Sequence, residues 1–347
     1  MNTRLRLLSV FTGTIVSLNA TPCLSLPLSP GDRLKVSIPE GELFNGIYEV
    51  NIDGTLQIPY LSPIRVAGLE PSQIEQTLSQ GLIEKRLFNP RFLQVTIQPV
   101  EWSAIQVSVA GATFQPGRLL LNQRSPEARA RITQSSGDYP PERFLIAAIR
   151  EAGGVMPNAD VKNIRLIRNG QETTIDLSGV LSGDIIQDIP LVAGDRIVVP
   201  NTQKVHPELI RPSQITIAGV RVFLSNLTQP ASSNSGASVN KDATSFVYGS
   251  RLSQAVIAGN CAGGSTENAK RRALLVRTDR MTGETKMMER PIEDLLRKTN
   301  DDVTNPFLMP DDGVACYDSK RTNLRGVADT LGAIFSPFSL LLNLLRK

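Results

Sequence analysis

One nine-residue phrase occurs three times in this chain and restricts what can be built around it. The copies are Leu28-Ser-Pro-Gly-Asp-Arg-Leu-Lys-Val36, Leu191-Val-Ala-Gly-Asp-Arg-Ile-Val-Val199 and Leu308-Met-Pro-Asp-Asp-Gly-Val-Ala-Cys316. Each places an apolar residue before two linking residues, a turn rich in Gly and Asp, and an alternating apolar run. Gly and Asp suit a tight turn because both tolerate positive φ and Asp bonds to nearby backbone. Leu34, Val36 and Ile38, then Ile197 and Val199, then Val314 and Cys316 alternate with period two, the pattern of a half-buried strand. Three copies, each near the edge of a composition block, predict repeated β-rich modules. The Asp residues are read as turn formers rather than as acid–base groups.

The 347 residues leave room for two or three domains. Apolar residues make up 41%, enough for real cores, whereas one Trp and five Tyr argue against an aromatic platform for single-stranded nucleic acid. The net charge of +4 includes Arg4 and Arg6, which fall in a leader, and the densest basic run is Lys270-Arg271-Arg272. No nucleic-acid partner is expected.

Residues 1–25 read as an export signal: Arg4 and Arg6, an apolar stretch from Leu7 to Leu18, then small residues. The apolar stretch is too short to span a bilayer. Cys23 is a candidate for lipidation, against which stands ordinary cleavage after Ser25. Export makes Cys261 and Cys316 candidates for a disulfide. The alternative is two small buried apolar residues.

The first block, 26–100, opens on the phrase. Tyr48 to Tyr60 contains Asp53-Gly54 between alternating runs, a hairpin signal. Ser72 with Glu75 reads as a capping box for a helix carrying Ile74, Leu78, Leu82 and Ile83 on one face. Asn89-Pro90 stops it, and Phe92–Gln98 returns as a strand. Gly31-Asp32, Val50-Asn-Ile-Asp-Gly-Thr-Leu-Gln-Ile-Pro-Tyr60, Val66-Ala-Gly-Leu69, the helix and Asn89-Pro90, in that order, resemble the polysaccharide-export domain of outer-membrane (Wza-type) exporters of capsular polysaccharide and exopolysaccharide.

The second block, 101–202, holds a strand Ile105–Gly111, a turn at Pro116-Gly117, a polar insert from Asn122 to Pro141, a helix from about Glu142, and strands about Asn169-Gly170. The third, 212–318, repeats the plan. Ile215-Thr-Ile-Ala-Gly219 matches Val107-Ser-Val-Ala-Gly111, and Leu274-Leu-Val-Arg277 matches Ile164-Arg-Leu-Ile-Arg168. Both blocks resemble the soluble-ligand-binding β-grasp (SLBB) module, which follows the export domain in tandem in that family. The expected fold class is α+β.

Residues 322–347 differ in kind. Arg325, Asp329, Gly332, Ser336, Ser339, Asn343 and Arg346 fall on one narrow polar or small stripe of a helix. Leu324, Val327, Leu331, Ile334, Phe335, Phe338, Leu341, Leu342 and Leu345 cover the opposite arc. Such a helix would reach roughly 39 Å, enough to cross a bilayer, although Pro337 would kink it. A helix docked on its own domain would show the same pattern.

A catalytic site does not assemble. The one His, His206, lies in a linker, no Cys/His cluster has metal spacing, and Ala258 to Gly264 lacks the Lys-Ser/Thr of a phosphate loop. No cofactor, metal or enzymatic activity is expected. The family resemblance implies a cyclic homo-oligomer with most of the chain in the periplasm. In it the apolar arc faces outer-membrane lipid and the polar stripe lines a pore for polysaccharide. It also implies an inner-membrane polysaccharide co-polymerase, often a tyrosine autokinase, as partner.

Overall fold

The computed structural model describes residues 25–125, 127–128, 138–227, 245–261, 271–279 and 283–318. Cys23 and its leader, and both faces of the helix expected over 322–347, lie outside the described residues. Among the described residues no helix is long and apolar enough to cross a membrane.

The first block builds a three-stranded antiparallel sheet from β1 (Arg33–Ser37), β2 (Gly46–Glu49) and β5 (Thr96–Glu101), in the order β2-β1-β5. A short pair, β3 (Thr55–Leu56) with β4 (Ile64–Arg65), and helix α1 (Pro71–Glu84) complete it. Leu34 and Val36 point inward from β1 and meet Ile74, Leu78 and Leu82 from α1, all fully buried. The period-two and helical patterns therefore converge on one core.

Two local expectations are corrected here. Glu70, not Ser72, caps α1: its side chain accepts from the backbone at Gln73, and Gln73 Oε1 accepts the Glu70 N–H at 2.9 Å. Pro71, whose φ is preset for a first helical residue, moves the start forward. Glu75 instead accepts the Ile97 N–H at 2.8 Å and pins β5 to the helix. Asp53-Gly54 does form a turn, with the Asn51 N–H donating to Thr55 O at 2.8 Å. Its flanks nevertheless diverge, because β2 pairs with β1 while β3 pairs with β4.

The second block is a five-stranded mixed sheet, order β7-β6-β10-β8-β9. Its strands are β6 (Ile105–Gly111), β7 (Gly117–Leu121), β8 (Ile164–Arg168), β9 (Gln171–Ile175) and β10 (Arg196–Val199). Strands β6 and β10 are parallel and the other pairings antiparallel. Asn169 and Gly170, both at positive φ, close the β8–β9 hairpin. A 3-10 turn (Pro141–Arg143), helix α2 (Leu145–Glu151) and the short α3 (Gly179–Ser182) cover the sheet, with Leu145, Ala148 and Ile149 fully buried.

The third block repeats the topology without a counterpart of β7: β12 (Phe223–Asn226), β14 (Arg271–Thr278), β15 (Thr285–Pro291) and β16 (Gly313–Asp318), order β12-β16-β14-β15, with β12 at the edge again parallel to its neighbour. A separate pair, β11 (Gly219–Arg221) with β13 (Ser245–Val247), and helices α4 (Leu252–Ala258) and α5 (Ile292–Arg297) accompany it.

The alignment of Ile215–Gly219 with Val107–Gly111 fails. Ser108 donates its N–H to Asp195 O at 2.9 Å, and the residue that does the same to Asp312 O, at 2.8 Å, is Phe223. Strand β12 is thus the counterpart of β6. Ile215 lies in the core of the preceding module, and its carbonyl accepts the Val155 N–H at 2.8 Å. Alternation alone does not distinguish a ladder strand from an extended segment lapping a neighbour.

Candidate functional site

The three copies of the phrase do the same thing in space. The residue before the key Asp is left-handed each time: Gly31 at φ +86, Gly194 at +91 and Asp311 at +63. That bend lets each Asp carboxylate accept the backbone N–H three residues back: Ser29 at 2.7 Å, Val192 at 2.9 Å and Met309 at 2.8 Å. The remaining acceptor sites face an arginine. Arg168 grips Asp195 bidentately at 2.9 and 2.7 Å and donates to Pro190 O at 2.7 Å. Arg277 grips Asp312 at 2.8 and 2.7 Å and donates to Phe307 O at 2.8 Å. Burial pushes the Asp312 carboxyl up, against the pull of Arg277.

In the first copy the arginine comes from the next module. Arg143, in the turn before α2, places Nη1 2.8 and 3.0 Å from the two Asp32 oxygens, and its Nη2 donates to Ser29 Oγ at 2.8 Å and Pro27 O at 3.3 Å. Both side chains are 0% exposed. Ser103 adds an N–H at 2.7 Å and a hydroxyl at 2.9 Å to Asp32, and the guanidinium stands 5.1 Å from the Trp102 ring centroid. The Ala193 N–H, from the second copy of the phrase, donates to Ser29 Oγ at 3.1 Å. Burial pulls the Arg143 guanidinium below its usual range while Asp32 opposes it, and a guanidinium keeps its charge in proteins. A buried guanidinium whose Nη1 bridges both carboxylate oxygens while Nη2 holds Ser29 and Pro27 fixes one geometry between two modules.

The turn reading of the Asp residues is therefore incomplete. They are turn formers and also anchors of an ion-paired clamp. Arg168 and Arg277 were visible in the sequence as the shared last residue of Ile-Arg-Leu-Ile-Arg and Leu-Leu-Val-Arg. Arg143 carries no such signal, because its partner lies 111 residues away.

Between the two later modules lies a cleft of about 740 Å³. Phe114, Met156, Ile210, Ile217, Val220 and Met309 are among its apolar lining residues, and Arg221, Lys286 and Asp302 among the charged ones. Phe114 packs against the core of the following module, 6.1 Å edge-on from Tyr248. His206 meets Thr202 Oγ1 at 3.0 Å through Nε2 and Glu208 at 3.5 Å through Nδ1, contacts that brace the linker. Cys261 and Cys316 are joined in a disulfide with Cα atoms 6.0 Å apart. Among the described residues no group of three or more His, Cys, Asp or Glu is arranged to hold a metal ion.

Residues 25–98 match the family model described as polysaccharide biosynthesis/export protein, and residues 143–199 match the SLBB domain. In these two segments the chain is similar to proteins of outer-membrane polysaccharide export. Over 184 residues it is 28% identical to the EPS I polysaccharide export outer membrane protein EpsA of Ralstonia nicotianae, covering 51% of this chain and 43% of that protein. Over 181 residues it is 24% identical to the polysialic acid transport protein KpsD of Escherichia coli, covering 51% of this chain and 31% of that protein. The chain thus spans less than half the length of these relatives. The family matches fall on the first and second modules, the two that Arg143 joins.

Proposed function

We propose that this chain is the subunit of an outer-membrane channel that exports capsular polysaccharide or exopolysaccharide. The observation that carries the reading is the export domain held at one fixed geometry against an SLBB module by the buried Asp32–Arg143 clamp. Fixed stacking of modules suits a wall around a conduit. The names of the relatives support the same role: one is an export outer membrane protein and another a polysialic acid transport protein.

On this reading the chain is exported by its leader, and most of it lies in the periplasm. Head-to-tail copies close into a ring, because one helix per chain cannot enclose a pore. The helix over 322–347 turns its Arg325-to-Arg346 stripe to the lumen and its leucine-rich arc to lipid, each backbone satisfied within its own helix. Polysaccharide passes through without bond making or breaking, and an inner-membrane co-polymerase docks at the periplasmic mouth. Deleting 322–347 is expected to release the protein from the outer membrane and abolish secretion, while detergent-extracted full-length protein images as a ring with a central hole. A truncated protein that stays in the outer membrane and still supports secretion refutes the pore.

A second reading is a periplasmic sugar-binding module without a pore, and the cleft between the two β-grasp modules favours it. It requires purified protein to bind the exported polysaccharide as a monomer, with binding lost on Met156→Trp, a partly buried residue of the cleft lining.

A further inference from the structure

One turn of the export domain holds an aromatic ring where the backbone calls for glycine. Ile58 to Leu61 is a β-turn in the connection between β3 and β4, closed by the Leu61 N–H on Ile58 O at 3.2 Å. Pro59 takes the first central position and Tyr60 the second, at φ +62. Proline cannot reach positive φ, so the turn is type II. Its second central residue is ordinarily Gly or Asn, because a Cβ crowds the backbone there. Of the seven non-glycine residues at positive φ among those described, four are Asn or Asp, and Tyr60 is the one aromatic. The flanks impose the bend: Ile58 and Leu61 are buried on either side, and Leu61 rests on α1 beside Gly81.

Packing does not offset that strain. Tyr60 is 71% exposed, and its ring contact is with Phe44, edge-on with centroids 6.1 Å apart. Phe44, itself buried, meets Phe88 in the same way at 5.4 Å. The Tyr60 ring is thus steadied from one side and open on another. Apolar side chains scattered singly over a surface need no explanation. A strained backbone that holds an aromatic ring out in solvent does, and such strain collects at functional positions.

We infer that Tyr60 is a stacking platform for a pyranose ring of the exported polysaccharide. A sugar ring presents axial C–H groups, weakly positive, to the negative face of an aromatic ring, while its equatorial hydroxyls stay hydrated around the edge. The area fits a sugar and not a protein. Tyr60 with Leu43 and Leu87, the exposed chain neighbours of Phe44 and Phe88, offers well under the about 800 Å² that each side of a stable protein interface buries. A single stack is weak, which suits a polymer that must keep moving past it. The inference rests on the export reading for the identity of the polymer.

The test uses the purified full chain and short oligosaccharides cut from the polysaccharide that the producing cells release. Saturation-transfer NMR should place the strongest transfer on the sugar C–H protons. Tyr60→Asn should weaken binding at least roughly tenfold, and Tyr60→Phe, which keeps the ring, should stay within about threefold of wild type. Asn is at home at positive φ, so Tyr60→Asn should leave Tm within about 4 °C of wild type or raise it. Equal binding by wild type and Tyr60→Asn, no binding by wild type, or a larger fall in Tm overturns the inference. So does a Tyr60→Asn variant that instead loses binding to phosphatidylethanolamine–phosphatidylglycerol vesicles or loses self-association, outcomes that assign the ring to a membrane or to a second copy. Secretion by cells deleted for the whole chain tests the export reading separately. If secretion stops while Tyr60→Asn binds sugar as wild type does, only the inference falls.

Discussion

Replacing Arg143 by Met removes the cation that joins the export domain to the first β-grasp module and leaves the Asp32 side chain without it in a site with no solvent exposure. Breaking a buried pair from one side costs about 3–5 kcal/mol, most of it the uncompensated charge. Asp32 keeps three other donors, the N–H groups of Ser29 and Ser103 and the Ser103 hydroxyl, which places the electrostatic cost near the lower end. The lost stacking on Trp102 adds about 0.5–2 kcal/mol. For a unit of the size of residues 25–199, each kcal/mol lowers Tm by about 2–4 °C, so a fall of roughly 7–20 °C is expected. Scanning calorimetry of the full chain reads it as a shift of one transition that carries both modules. Asp32→Leu/Arg143→Met should lie closer to wild type than Arg143→Met alone, because no charge is then left buried. Arg168→Met is the control within one module: it strands Asp195, itself 1% exposed, at a comparable cost of about 3–5 kcal/mol, but without loosening the export domain. If Arg143→Met lowers only one of two separate transitions, the clamp does not couple the modules.

Three further outcomes follow from the same geometry. Gly111→Ala places a Cβ 2.0 Å from Val199 O at φ +94 and should cost roughly 3 kcal/mol or more in denaturant titration, whereas Gly170→Ala, with open space and φ +79, should cost about 1–2 kcal/mol. Burial raises the Asp188 carboxyl, against the Ile146, Ile189 and Leu145 N–H groups. Its stabilising contribution is therefore present below the unfolded carboxylate range and lost as pH rises through the raised value. Asp188→Asn should accordingly raise Tm at pH 7, with the gain shrinking toward pH 4. Phe114→Ala should weaken the contact between the two β-grasp modules by about 1–3 kcal/mol, read as faster proteolysis in the 202–212 linker with export-domain stability unchanged.

The elements that rest on local chemistry could be read from the sequence. The alternation about the three phrases, the Asn169-Gly170 hairpin and the apolar face of α1 all appear where nearest neighbours dictate them. Misreadings arose where two local solutions compete. Ser72-x-x-Glu75 and Glu70-Pro71-x-Gln73 both satisfy capping rules, and the proline decided between them. Ile215–Gly219 alternates as well as β12 does, but Ile215 packs into the preceding module while Ile217 and Gly219 join the following one. Arg143 was opaque for a related reason. It sits in a charged, turn-like Pro-Glu-Arg that reads as surface, and only the folded arrangement brings Asp32 to it.

The parallel pair in each β-grasp sheet has a mechanical consequence. The chain comes into the first of these modules along β6 and leaves along β10, and the two strands run side by side in the same direction. In the next module β12 and β16 repeat the arrangement. Each module therefore hands the chain on at the pole opposite to the one at which it received it, an advance of roughly 13–23 Å for strands of four to seven residues. Tension applied through the flanking linkers would slide β6 past β10 and strain all their hydrogen bonds together instead of peeling them one by one. A chain threaded this way resists stretching along its own axis.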